Sequence, residues 1–514
     1  MKIITPKTMS NIDNELIKQN SISIKELINL AGNEIGRIII EYINNISDNH
    51  IKRFVIIIGK GNNGGDSVVA ANYIKKHTNK EIMLCSLYPI DKLNENTQYY
   101  IKSLNDNIKI EVIDDLSDNK FIRGDIIIDG MLGTGFIGKL KPKYISWIDK
   151  INNSNLPVIS VDIPSGLNGE TGIVQDNAII SDLTITIGLP KIGLIINDGL
   201  KYVGKLEIAD INIPNEIINK INHKYSMFTN REAYNLIKRV PIDSNKKNNG
   251  KILIIGGSSS YTGAPFITAN AALKSGAGFV TVAIPKEIKP DNIIINSSLI
   301  IKRINDDGTG YFCKSSIKEI KELINHHDIL VVGPGMSNNI KCIPLLKEIL
   351  SYKKRTVIDA DALNLMSIDP NIIINCDNFV YTPHSEEMNR LLTALDLTKY
   401  IDLDKTEKAS ILASKILGTI VAKGNKTAVV NKNRIPSINN SGSQALAKAG
   451  SGDVLSGIIG AFLSLDNNIQ DLVCLAVYIH GLTATLSNDG FRGLTADDII
   501  QLIPKAIKSI SPFG

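Results

Sequence analysis

Short apolar runs alternate with amphipathic stretches along nearly the whole chain, and this alternation constrains the fold more than any other feature. The runs RFVIIIG, DIIIDG, LPVISVDIP and LTITIG come first, and GKILIIGG, FVTVAIP, ILVVGPG, RTVIDADAL and FVYTPH follow. Buried strands that alternate with helices form parallel sheets with crossover connections, so the sequence predicts an α/β protein. Each run ends at Gly, Asp or Pro, which places polar groups at the carboxyl edge of a sheet, where open α/β folds bind ligands.

The length and one break in the pattern predict more than one domain. The chain has 514 residues, which is too many for one hydrophobic core and corresponds to roughly two to four domains. The alternation loosens after KLEIADINIPNEIINK, and a new strand with a glycine turn begins at KILIIGG. We therefore expect two α/β domains, at residues 1–217 and 226–514, joined near residues 218–228.

Composition excludes several classes of protein. Hydrophobic residues make up 43% of the chain and charged residues 21%, and no apolar run approaches the length of a membrane span. The net charge of +5 is spread without a block of like charge, which argues against a nucleic-acid partner. The five cysteines lie far apart without a C-x-x-C pair, and the N-terminus lacks an apolar signal core. We expect a cytoplasmic homo-oligomer with no disulfide, no structural zinc and no membrane partner.

The stretch IIIGKGNNGGDSVVA predicts a strand, a glycine-rich turn and the start of a helix. Gly59, Gly61 and Gly64 match G-x-G-x-x-G, the fingerprint of dinucleotide-binding folds, although a tight turn without a ligand explains these glycines equally well. A dinucleotide oxidoreductase carries an acidic residue about 20 positions later, and here the strand in EIMLCSLYPI ends without one. An ordinary dehydrogenase is therefore disfavoured, and the NNGGD segment supplies amide and carboxyl groups that a plain phosphate loop does not need.

Two further strand ends carry polar groups that should converge with this turn. IIIDGMLGTGFIGKL ends a strand at Asp129 and then supplies glycines whose backbone N–H groups suit an anion. VISVDIPSGLNGETG ends another at Asp162 and turns through Ser165. Oxygen atoms of Asn63, Asp129 and Ser165 suit a hard cation such as K⁺ or Mg²⁺. A single aspartate at a strand end is commonly only a helix cap, but three such loops together favour a ligand site.

In this order, GKGNNGGD, DGMLGTGFIGK and VDIPSGLNGETG resemble the NAD(P)H-hydrate epimerase family over about the first 215 residues. The resemblance implies a Rossmann-like three-layer αβα sandwich, bound K⁺, and interconversion of the R and S epimers of hydrated NADH and NADPH. It implies that Asn63, Asp129 and Ser165 hold K⁺ and that Asp162 is the acid or base at the nicotinamide. The dinucleotide contacts that it implies are Asn62, Asn63, Gly64, Gly65, Asp66, Gly133, Thr134, Gly135, Phe136, Ile137, Gly138, Lys139 and Asp162.

Two positions qualify this resemblance. Ser67 stands where the family commonly has glycine, and we expect little effect. Lys191, in GLPKIGL, matches a landmark of the family, but a solvated surface lysine explains it equally well. The role of Asp162 is chemically reasonable without the family, because epimerising a hemiaminal-type carbon requires proton movement at the ring and its hydroxyl.

The second half of the chain repeats the pattern of strand ends with polar loops. GKILIIGGSSSYTGAP and ILVVGPGMS supply small-residue turns, VIDADALNL supplies Asp359 and Asp361, and YTPHSEE supplies His384. AKGNKTAVV predicts a hairpin at Lys423 that suits a nucleotide phosphate. Tight helix–sheet packing explains the small residues equally well. A histidine is commonly structural, but its place after Thr-Pro at a strand end favours ligand contact.

The stretch SGSQALAKAGSGDVLSGIIGAFLS predicts a small-residue turn that opens an apolar helix, with Gly452 and Asp453 in its first turn. Backbone N–H groups and the positive end of the helix dipole stabilise a phosphoryl group in transfer. Asp453 would take the proton from the attacking hydroxyl, as in phosphoryl transfer generally. An aspartate here can also be a mere cap, but the glycines and the apolar helix favour catalysis.

GGSSSYTGAP, VGPG, DADALN, TPH, KG-x-x-T and AKAGSGDVLSG resemble the ribokinase-like superfamily, and within it the ADP/ATP-dependent NAD(P)H-hydrate dehydratases, over about residues 226–514. The resemblance implies a ribokinase-like αβα domain that uses Mg²⁺ with ADP or ATP, phosphorylates the ring hydroxyl and loses phosphate to restore NAD(P)H, with Asp453 as the catalytic residue. The implied contacts with hydrated dinucleotide are Ala264, Gly335, His384 and Asp453, and those with adenine nucleotide are Lys423, Gly424, Asn425, Lys426, Thr427 and Gly452. TPHSEE departs from the family, which often has Pro-Gly-Glu after the histidine.

Together the two resemblances imply a bifunctional repair enzyme whose substrates are NADHX, NADPHX and an adenine nucleotide. The alternative is a ribokinase-like kinase for a vitamin or sugar alcohol, with a non-catalytic N-terminal ligand-binding module. That kinase would share the GSGD segment but would release a stable phosphorylated product. The sequence does not choose between ADP and ATP, and because bacterial members of the family generally use ADP, we expect ADP.

Overall fold

The computed structural model describes residues 1–20, 22–45, 51–104, 108–113, 121–237, 239–240, 242, 249–289, 296–487 and 490–512. The chain divides into two compact units, Met1–Tyr225 and Ser226–Gly514. Both are α/β, as the alternation of apolar runs predicts.

The first unit is built on a parallel sheet. The strands of the unit are β1 (Lys2–Ile3), which lies outside this sheet, and β2 (Arg53–Ile58), β3 (Glu81–Ser86), β4 (Lys109–Val112), β5 (Asp125–Gly130), β6 (Val158–Val161), β7 (Leu183–Ile187) and β8 (Lys205–Ala209), which form it. Its helices are α1 (Pro6–Asn20), α2 (Ile24–Asn45), α3 (Asn62–His77), α4 (Glu95–Lys102), α5 (Pro142–Asn153), α6 (Gly199–Tyr202) and α7 (Asn215–Lys220). Seven strands pair in parallel in the order β4-β3-β2-β5-β6-β7-β8.

Strand β2 shows why helices cover both faces of this sheet. Side chains alternate between faces along a strand. Phe54 and Ile56 belong to one buried apolar cluster, while Val55 and Ile57 belong to another that includes Trp147 of α5. A strand that is apolar on both sides needs a helix layer on each, so the predicted three-layer sandwich is confirmed.

The strand order places a ligand crevice at the carboxyl ends of β2 and β5. The chain runs from β2 outward through β3 and β4 and then returns to pair β5 with the other side of β2. The loops after β2 and β5 leave the sheet in opposite directions, which opens a crevice at this switch point. The sequence motifs around Gly61 and Gly133 lie in these two loops.

The second unit is built on a larger, mostly parallel sheet. Its strands are β9 (Tyr225–Phe228), β10 (Lys251–Ile255), β11 (Phe279–Pro285), β12 (Ile300–Ile304), β13 (Ile329–Val332), β14 (Arg355–Ile358), β15 (Phe379–Tyr381), β16 (Thr419–Ala422), β17 (Ala428–Asn431) and β18 (Ser437–Asn439). Its helices are α8 (Asn230–Leu236), α9 (Ala264–Lys274), α10 (Ile317–Asn325), α11 (Ile343–Ser351), α12 (Asp361–Ile368), α13 (Ser385–Ala394), α14 (Lys405–Ile416), α15 (Ser451–Phe462), α16 (Ile469–Leu486), α17 (Gly490–Gly493) and α18 (Ala496–Ile510).

Within the second unit, the strands follow the order β9-β18-β17-β16-β15-β14-β13-β10-β11-β12. The pairs are parallel except that β17 runs antiparallel to both β16 and β18. The hairpin predicted at AKGNKTAVV is therefore confirmed, and residues 423–427 form its turn. Helices α9 and α15 cover one face, where Phe266 and Ile458 pack with Ile252 and Ile254 of β10.

The expectation that no apolar run approaches the length of a membrane span is wrong. Helix α16 spans 18 residues with a mean hydropathy of 1.4 and is long and apolar enough to cross a membrane. Its residues Leu472, Val473 and Leu475 belong to the apolar core of the second unit, and 67% of the helix is buried there. A buried core helix meets the same criteria of length and composition as a membrane span.

Candidate active sites

The loops at the carboxyl edge of the first sheet, with α1 and α2, enclose a cavity of about 790 Å³. Most residues predicted to contact dinucleotide line it, and Lys60, Lys139 and Lys141 in its wall supply positive charge for phosphates. Gly64, Gly65 and Gly138 do not line it. The predicted residues in the wall are Asn62, Asn63, Asp66, Gly133, Thr134, Gly135, Phe136, Ile137, Lys139 and Asp162.

Asp162 lies in this wall with a left-handed backbone conformation, φ 65°. Its Oδ1 accepts hydrogen bonds from Lys191 Nζ at 2.7 Å, from Ile187 N at 3.1 Å and from Thr186 Oγ1 at 3.2 Å. Lys191 is only 1% exposed and also donates to the Ile187 carbonyl at 2.7 Å. The surface explanation for Lys191 is therefore wrong, because its ammonium group forms a buried ion pair with Asp162.

Two more carboxyl groups face the same cavity. Asp13 comes from α1 and Asp66 from the first turns of α3. Burial raises the pKa of Asp13 to about 6; Lys191 opposes this effect and Asp162 reinforces it. Burial also raises the pKa of Asp66 well above its usual value, with added repulsion from Asp162 and Asp13. The cavity therefore holds protonatable groups close to the ion pair.

Sequence reasoning missed Asp13, although the sequence contains a signal for it. Met9, Ile12 and Leu16 are buried and follow the i, i+3, i+7 spacing of the apolar face of a helix. Asp13 occupies position i+4 of the same face, where an apolar residue is expected. A carboxyl group within a buried stripe marks a candidate site residue.

The predicted K⁺ ligands lie next to one another beside the cavity. Asp129 is fully buried and accepts hydrogen bonds from Ser165 Oγ at 2.6 Å and Ser165 N at 2.8 Å. Asn63 Nδ2 donates to the Leu132 carbonyl at 3.0 Å, and Leu132 N donates to Ser165 Oγ at 2.9 Å. Asn63 Oδ1 is buried and accepts no hydrogen bond.

The charge of Asp129 also fits a bound cation. Burial raises its pKa, and hydrogen bonds from Ser165, Met131 and Ser160 oppose that shift without cancelling it. Within the described ranges, no lysine or arginine pairs with this carboxyl group. An ion held by Asn63 Oδ1 and Asp129 would satisfy the unbonded amide oxygen and supply the missing countercharge.

In the second unit, Lys423 lies between the residues predicted to bind nucleotide and those predicted to bind the hydrated dinucleotide. It follows β16, and its Nζ donates to Asp359 Oδ1 at 2.9 Å and lies 3.9 Å from Glu387 Oε2. A methyl group at Gly452 would lie 3.6 Å from the same Nζ, so the GSGD turn packs directly against this ammonium group. Glycine at position 452 leaves that space open.

Asp359 is the buried partner of Lys423. Thr382 Oγ1 and Ser456 Oγ each donate to it at 2.7 Å. Burial raises the pKa of Asp359, but Lys423 and the two hydroxyl groups outweigh burial, so its pKa lies below the usual value. The sequence analysis placed Asp359 at a strand end but gave it no role.

Asp453 lies in the first turn of α15, as predicted. The residue before the helix is Gly450, and no side chain caps the backbone N–H groups that the helix leaves unbonded. Among the described residues, Asp453 therefore makes no capping hydrogen bond. Burial raises the pKa of Asp453 to about 7; Asp359 and Asp361 add to the shift and Lys423 opposes it. A carboxyl group of this kind exchanges its proton near neutral pH.

The predicted contacts with hydrated dinucleotide lie at neighbouring strand ends. Gly335 has φ +63°, and a methyl group there would lie 3.2 Å from Ala264 Cβ at the start of α9. Ser337 N, two residues on, donates to Asp361 Oδ2 at 2.8 Å, and Asp361 in turn acts electrostatically on Asp453. Asp361 therefore interacts both with the loop that contains Gly335 and with Asp453 of the GSGD turn.

His384 has a structural role as well as a place at this site. Its Nδ1 accepts from Glu386 N at 3.2 Å and so caps α13, as the structural explanation predicts. Its side chain is 47% exposed, and Nε2 lies 3.3 Å from Glu387 Oε1. The cap orients the ring and leaves part of it open to a ligand.

Lys405, a lysine for which the sequence motifs predict no role, lies beside the predicted nucleotide hairpin. Thr427 Oγ1 donates to the Gly424 carbonyl at 2.8 Å, and Lys426 Nζ donates to Asn440 Oδ1 at 2.6 Å. Lys405, at the start of α14, donates to the Asn425 carbonyl. Burial lowers the pKa of Lys405 to about 7, an effect that Asp404 opposes and Lys426 reinforces. Lys405 is 18 positions before the KG-x-x-T motif, so only the fold shows their proximity.

Two family models match the chain. Residues 252–505 match the model described as NAD(P)H-hydrate dehydratase, and residues 24–193 match the model described as YjeF-related protein N-terminus. The first match contains the Lys423 site, and the second contains most of the 790 Å³ cavity.

Relatives of full length carry both regions. The chain is 30% identical to the bifunctional NAD(P)H-hydrate repair enzyme Nnr of Dictyoglomus turgidum, over 99% of each chain. It is 31% identical to the enzyme of the same name from Archaeoglobus fulgidus, over 91% of this chain and 93% of that protein. Among solved structures, an ADP/ATP-dependent NAD(P)H-hydrate dehydratase from Bacillus subtilis, co-crystallized with ATP and Mg²⁺, is 22% identical and matches with a TM-score of 0.47, covering 56% of this chain and 99% of that one.

Proposed function

The chain belongs to the bifunctional NAD(P)H-hydrate repair enzymes, and from this premise we propose which of its residues carry each of the two activities. It is an NAD(P)H-hydrate epimerase joined to an ADP- or ATP-dependent NAD(P)H-hydrate dehydratase. In the proposal, residues 1–217 form the epimerase domain and residues 226–514 the dehydratase domain. The small-molecule kinase with a non-catalytic N-terminal module is not supported, because the similarity to repair enzymes extends over both units.

In the proposed epimerase site, hydrated dinucleotide binds in the 790 Å³ cavity with its phosphates at the first turn of α3 and the loop at residues 133–139. Backbone N–H groups at a helix N-terminus and lysine side chains are suited to bind phosphate. Asp162 then lies at the nicotinamide, where it removes and returns the proton of the ring hydroxyl. The observation that carries this proposal is the Asp162–Lys191 ion pair in the wall of the same cavity.

The proposal assigns K⁺ to Asn63, Asp129 and Ser165. It is supported by the unbonded Oδ1 of Asn63 and by the buried Asp129 carboxyl group without a cationic partner among the described residues. When bound, K⁺ would supply positive charge beside the loop at residues 133–139. The side chains of this chain set the shape of that loop through the Leu132 backbone bonds to Asn63 and Ser165.

In the proposed dehydratase site, ADP or ATP lies against the hairpin at residues 423–427 and the N-terminus of α15. Ala264, Gly335 and His384 bind the hydrated dinucleotide. Asp453 takes the proton of the ring hydroxyl, whose oxygen attacks the terminal phosphorus, and Lys423 with the Gly452 amide stabilises the charge that develops. Mg²⁺ bound with the nucleotide would neutralise phosphate charge. Phosphate then departs with the electron pair of its C–O bond, and loss of a proton from the adjacent ring carbon forms the double bond of the restored dihydronicotinamide.

The test follows absorbance of reduced nicotinamide after mixing enzyme with an R,S mixture of hydrated NADH, Mg²⁺, K⁺ and either ADP or ATP. We expect full recovery of NADH by the unaltered enzyme. The Asp162→Ala variant should stop at about the S fraction. An Asp149→Asn variant removes an exposed carboxylate of the same unit outside the cavity and should recover all of it. Full recovery by Asp162→Ala would contradict the assigned epimerase role, and no recovery with either nucleotide would contradict the dehydratase site.

The choice of phosphoryl donor, the cellular location and the assembly complete the proposal. The rates with ADP and ATP in the same assay decide the donor, and we propose ADP. We also propose a cytoplasmic homo-oligomer, for which the support is the similarity to the repair enzymes. Light scattering coupled to gel filtration measures the mass of the assembly and tests this part.

A further inference from the structure

Helix α1 lies across the end of the epimerase cavity. Ile4 N donates to the Pro190 carbonyl at 2.9 Å, and Ile192 N donates to the Ile4 carbonyl at 2.8 Å, so the segment before α1 runs beside Lys191. Met9 of α1 is buried, and a methyl group at Gly188 would lie 2.8 Å from its Cε. These contacts hold α1 over the strand ends that carry Asp162.

Asp13 faces the cavity from α1 without a hydrogen-bond partner. Among the described residues, no group forms a hydrogen bond with the carboxyl group of Asp13 or of Asp66. Asp66 is only 6% exposed. Asp66 is buried and Asp13 is partly buried, and removing a carboxyl group from water without a partner is unfavourable for folding, so a purely structural role does not explain either residue. Both are aimed into a cavity large enough for a ligand.

Asp13 and Asp66 are not explained as ligands of a metal ion. Within the described part of the chain, no three His, Cys, Asp or Glu side chains are grouped so as to hold one. The charged groups that face Asp13 are Asp162 and Lys191, which form an ion pair, and Asp66 on α3. Asp13 is therefore placed to exchange a proton beside a carboxylate that is already paired.

We propose that Asp13 is the second proton-transfer residue of the epimerase, acting at the ring nitrogen while Asp162 acts at the ring hydroxyl. This inference rests on the proposed function, because it takes Asp162 as the group at the hydroxyl. The two residues come from α1 and from the loop after β6, and both lie in the wall of one cavity. Epimerisation needs a base and an acid in the same step, and Asp162 alone cannot be both.

The proposed step balances protons and electrons. Asp162 takes the proton of the hydroxyl on the carbon to be epimerised, and the oxygen forms a carbonyl group with that carbon. The bond from this carbon to the ring nitrogen breaks, its electron pair remains on nitrogen, and the nitrogen takes a proton from Asp13. After the carbonyl group turns over, nitrogen attacks its other face, Asp13 takes its proton back, and Asp162 returns a proton to oxygen. No oxidant or reductant is needed.

The test measures epimerisation alone, starting from pure S-NADHX without nucleotide and following the R epimer by chromatography with the uncatalysed rate subtracted. We expect Asp13→Asn to lower kcat about 100-fold or more, the usual contribution of a general acid–base residue. The matched control is Glu15→Gln, which removes a carboxylate from the same helix at a residue outside the cavity wall and should leave the rate within twofold. An Asp13→Asn rate close to that of Glu15→Gln would overturn the proposal.

The pH profile separates proton transfer from a merely structural role. Since Asp13 must be protonated to act as the acid and its pKa is raised to about 6, the epimerase rate should fall as pH rises above about 6. Asp13→Glu should keep this fall at a reduced rate, whereas the residual activity of Asp13→Asn should lack it. Persistence of the fall in Asp13→Asn, or its loss in Asp13→Glu, would overturn the proposal.

The same proteins show whether the inference or its premise has failed. Dehydration of S-NADHX with ADP should be normal in both Asp13 variants, because it uses the second unit. If Asp162→Ala retains epimerase activity, the proposed function of the first unit fails. If Asp162→Ala is inactive while Asp13→Asn remains active, only the role of Asp13 fails.

Discussion

Both units place a lysine beside an aspartate at the carboxyl ends of parallel strands, but the two lysines have different partners. Lys191 pairs at 2.7 Å with Asp162, the proposed acid–base residue itself. Lys423 pairs at 2.9 Å with Asp359, and within the described part of the chain Asp453 has no direct ion pair and has a pKa raised to about 7. The first arrangement orients a reactive carboxylate, while the second tunes a carboxyl group to accept a proton near neutral pH.

The largest effect expected from this comparison concerns Asp453. Asp453→Asn should lower kcat for dehydration of S-NADHX by about 10³-fold, because the amide cannot accept the hydroxyl proton. Epimerisation by the same protein should be unchanged. Single-turnover absorbance measures the first rate and chromatography of the epimers the second. Asp466→Asn, an exposed aspartate of the same unit, is the matched control, and a comparable loss in that variant would refute a specific role.

Replacing each lysine should show how much its ion pair with aspartate contributes to the free energy of unfolding of its unit. Lys191→Met should destabilise the first unit by about 3 kcal/mol, since breaking a buried pair leaves an uncompensated charge. Lys423→Met should cost the second unit less, because the hydroxyl donors that Asp359 keeps lie at 2.7 Å, whereas the donors that Asp162 keeps lie at 3.1 and 3.2 Å. Urea unfolding of the two variants gives both values, and a larger loss in Lys423→Met would reverse the comparison.

The two activities should depend on pH in opposite directions. Asp453 must be ionised to accept a proton, so dehydratase kcat/KM should rise with pH through about 7, while epimerase activity falls above about 6. Asp359→Asn removes a negative charge that raises the pKa of Asp453 and should lower the midpoint of the rise by about one pH unit. A profile of Asp359→Asn that is unshifted or moved upward would show that Asp359 does not tune Asp453.

The smallest expected effect concerns K⁺, which we propose to bind only in the first unit. At several times its Kd, K⁺ in place of Na⁺ should stabilise that unit by roughly 1 kcal/mol. Asn63→Ala removes the unbonded amide oxygen and should abolish the difference. Thermal unfolding in the two salts at equal ionic strength provides the measurement. A K⁺ effect that survives in Asn63→Ala would assign the ion to another site.

The sequence predicts local features of both sites well. Helix α3 begins at Asn62 and α15 at Ser451, directly after glycine turns that the motifs contain, and the hairpin at residues 423–427 has the predicted form. In each case the determining residues are neighbours in sequence. Turn geometry, helix start and strand end follow from the conformational freedom of glycine and the alternation of apolar residues.

The parts that sequence reasoning missed depend on contacts between distant segments. Lys191 is buried because Asp162, Thr186 and the Ile187 carbonyl surround its ammonium group. Asp13 reaches the cavity only because the Ile4 segment lies beside Lys191. No periodicity or local motif encodes such pairings. A carboxyl group on the apolar face of a helix nevertheless indicates locally that the residue contacts a polar group or a ligand.

The backbone bonds that join Ile4 to Pro190 and Ile192 have a consequence for synthesis of the chain. A ribosome makes α1 about 170 residues before the segment at residues 190–192 that receives it. Until translation has passed residue 192, the apolar side of α1 formed by Met9, Ile12 and Leu16 has no such surface to cover it. The cavity of the first unit therefore closes late in synthesis, when α1 meets the segment at residues 190–192.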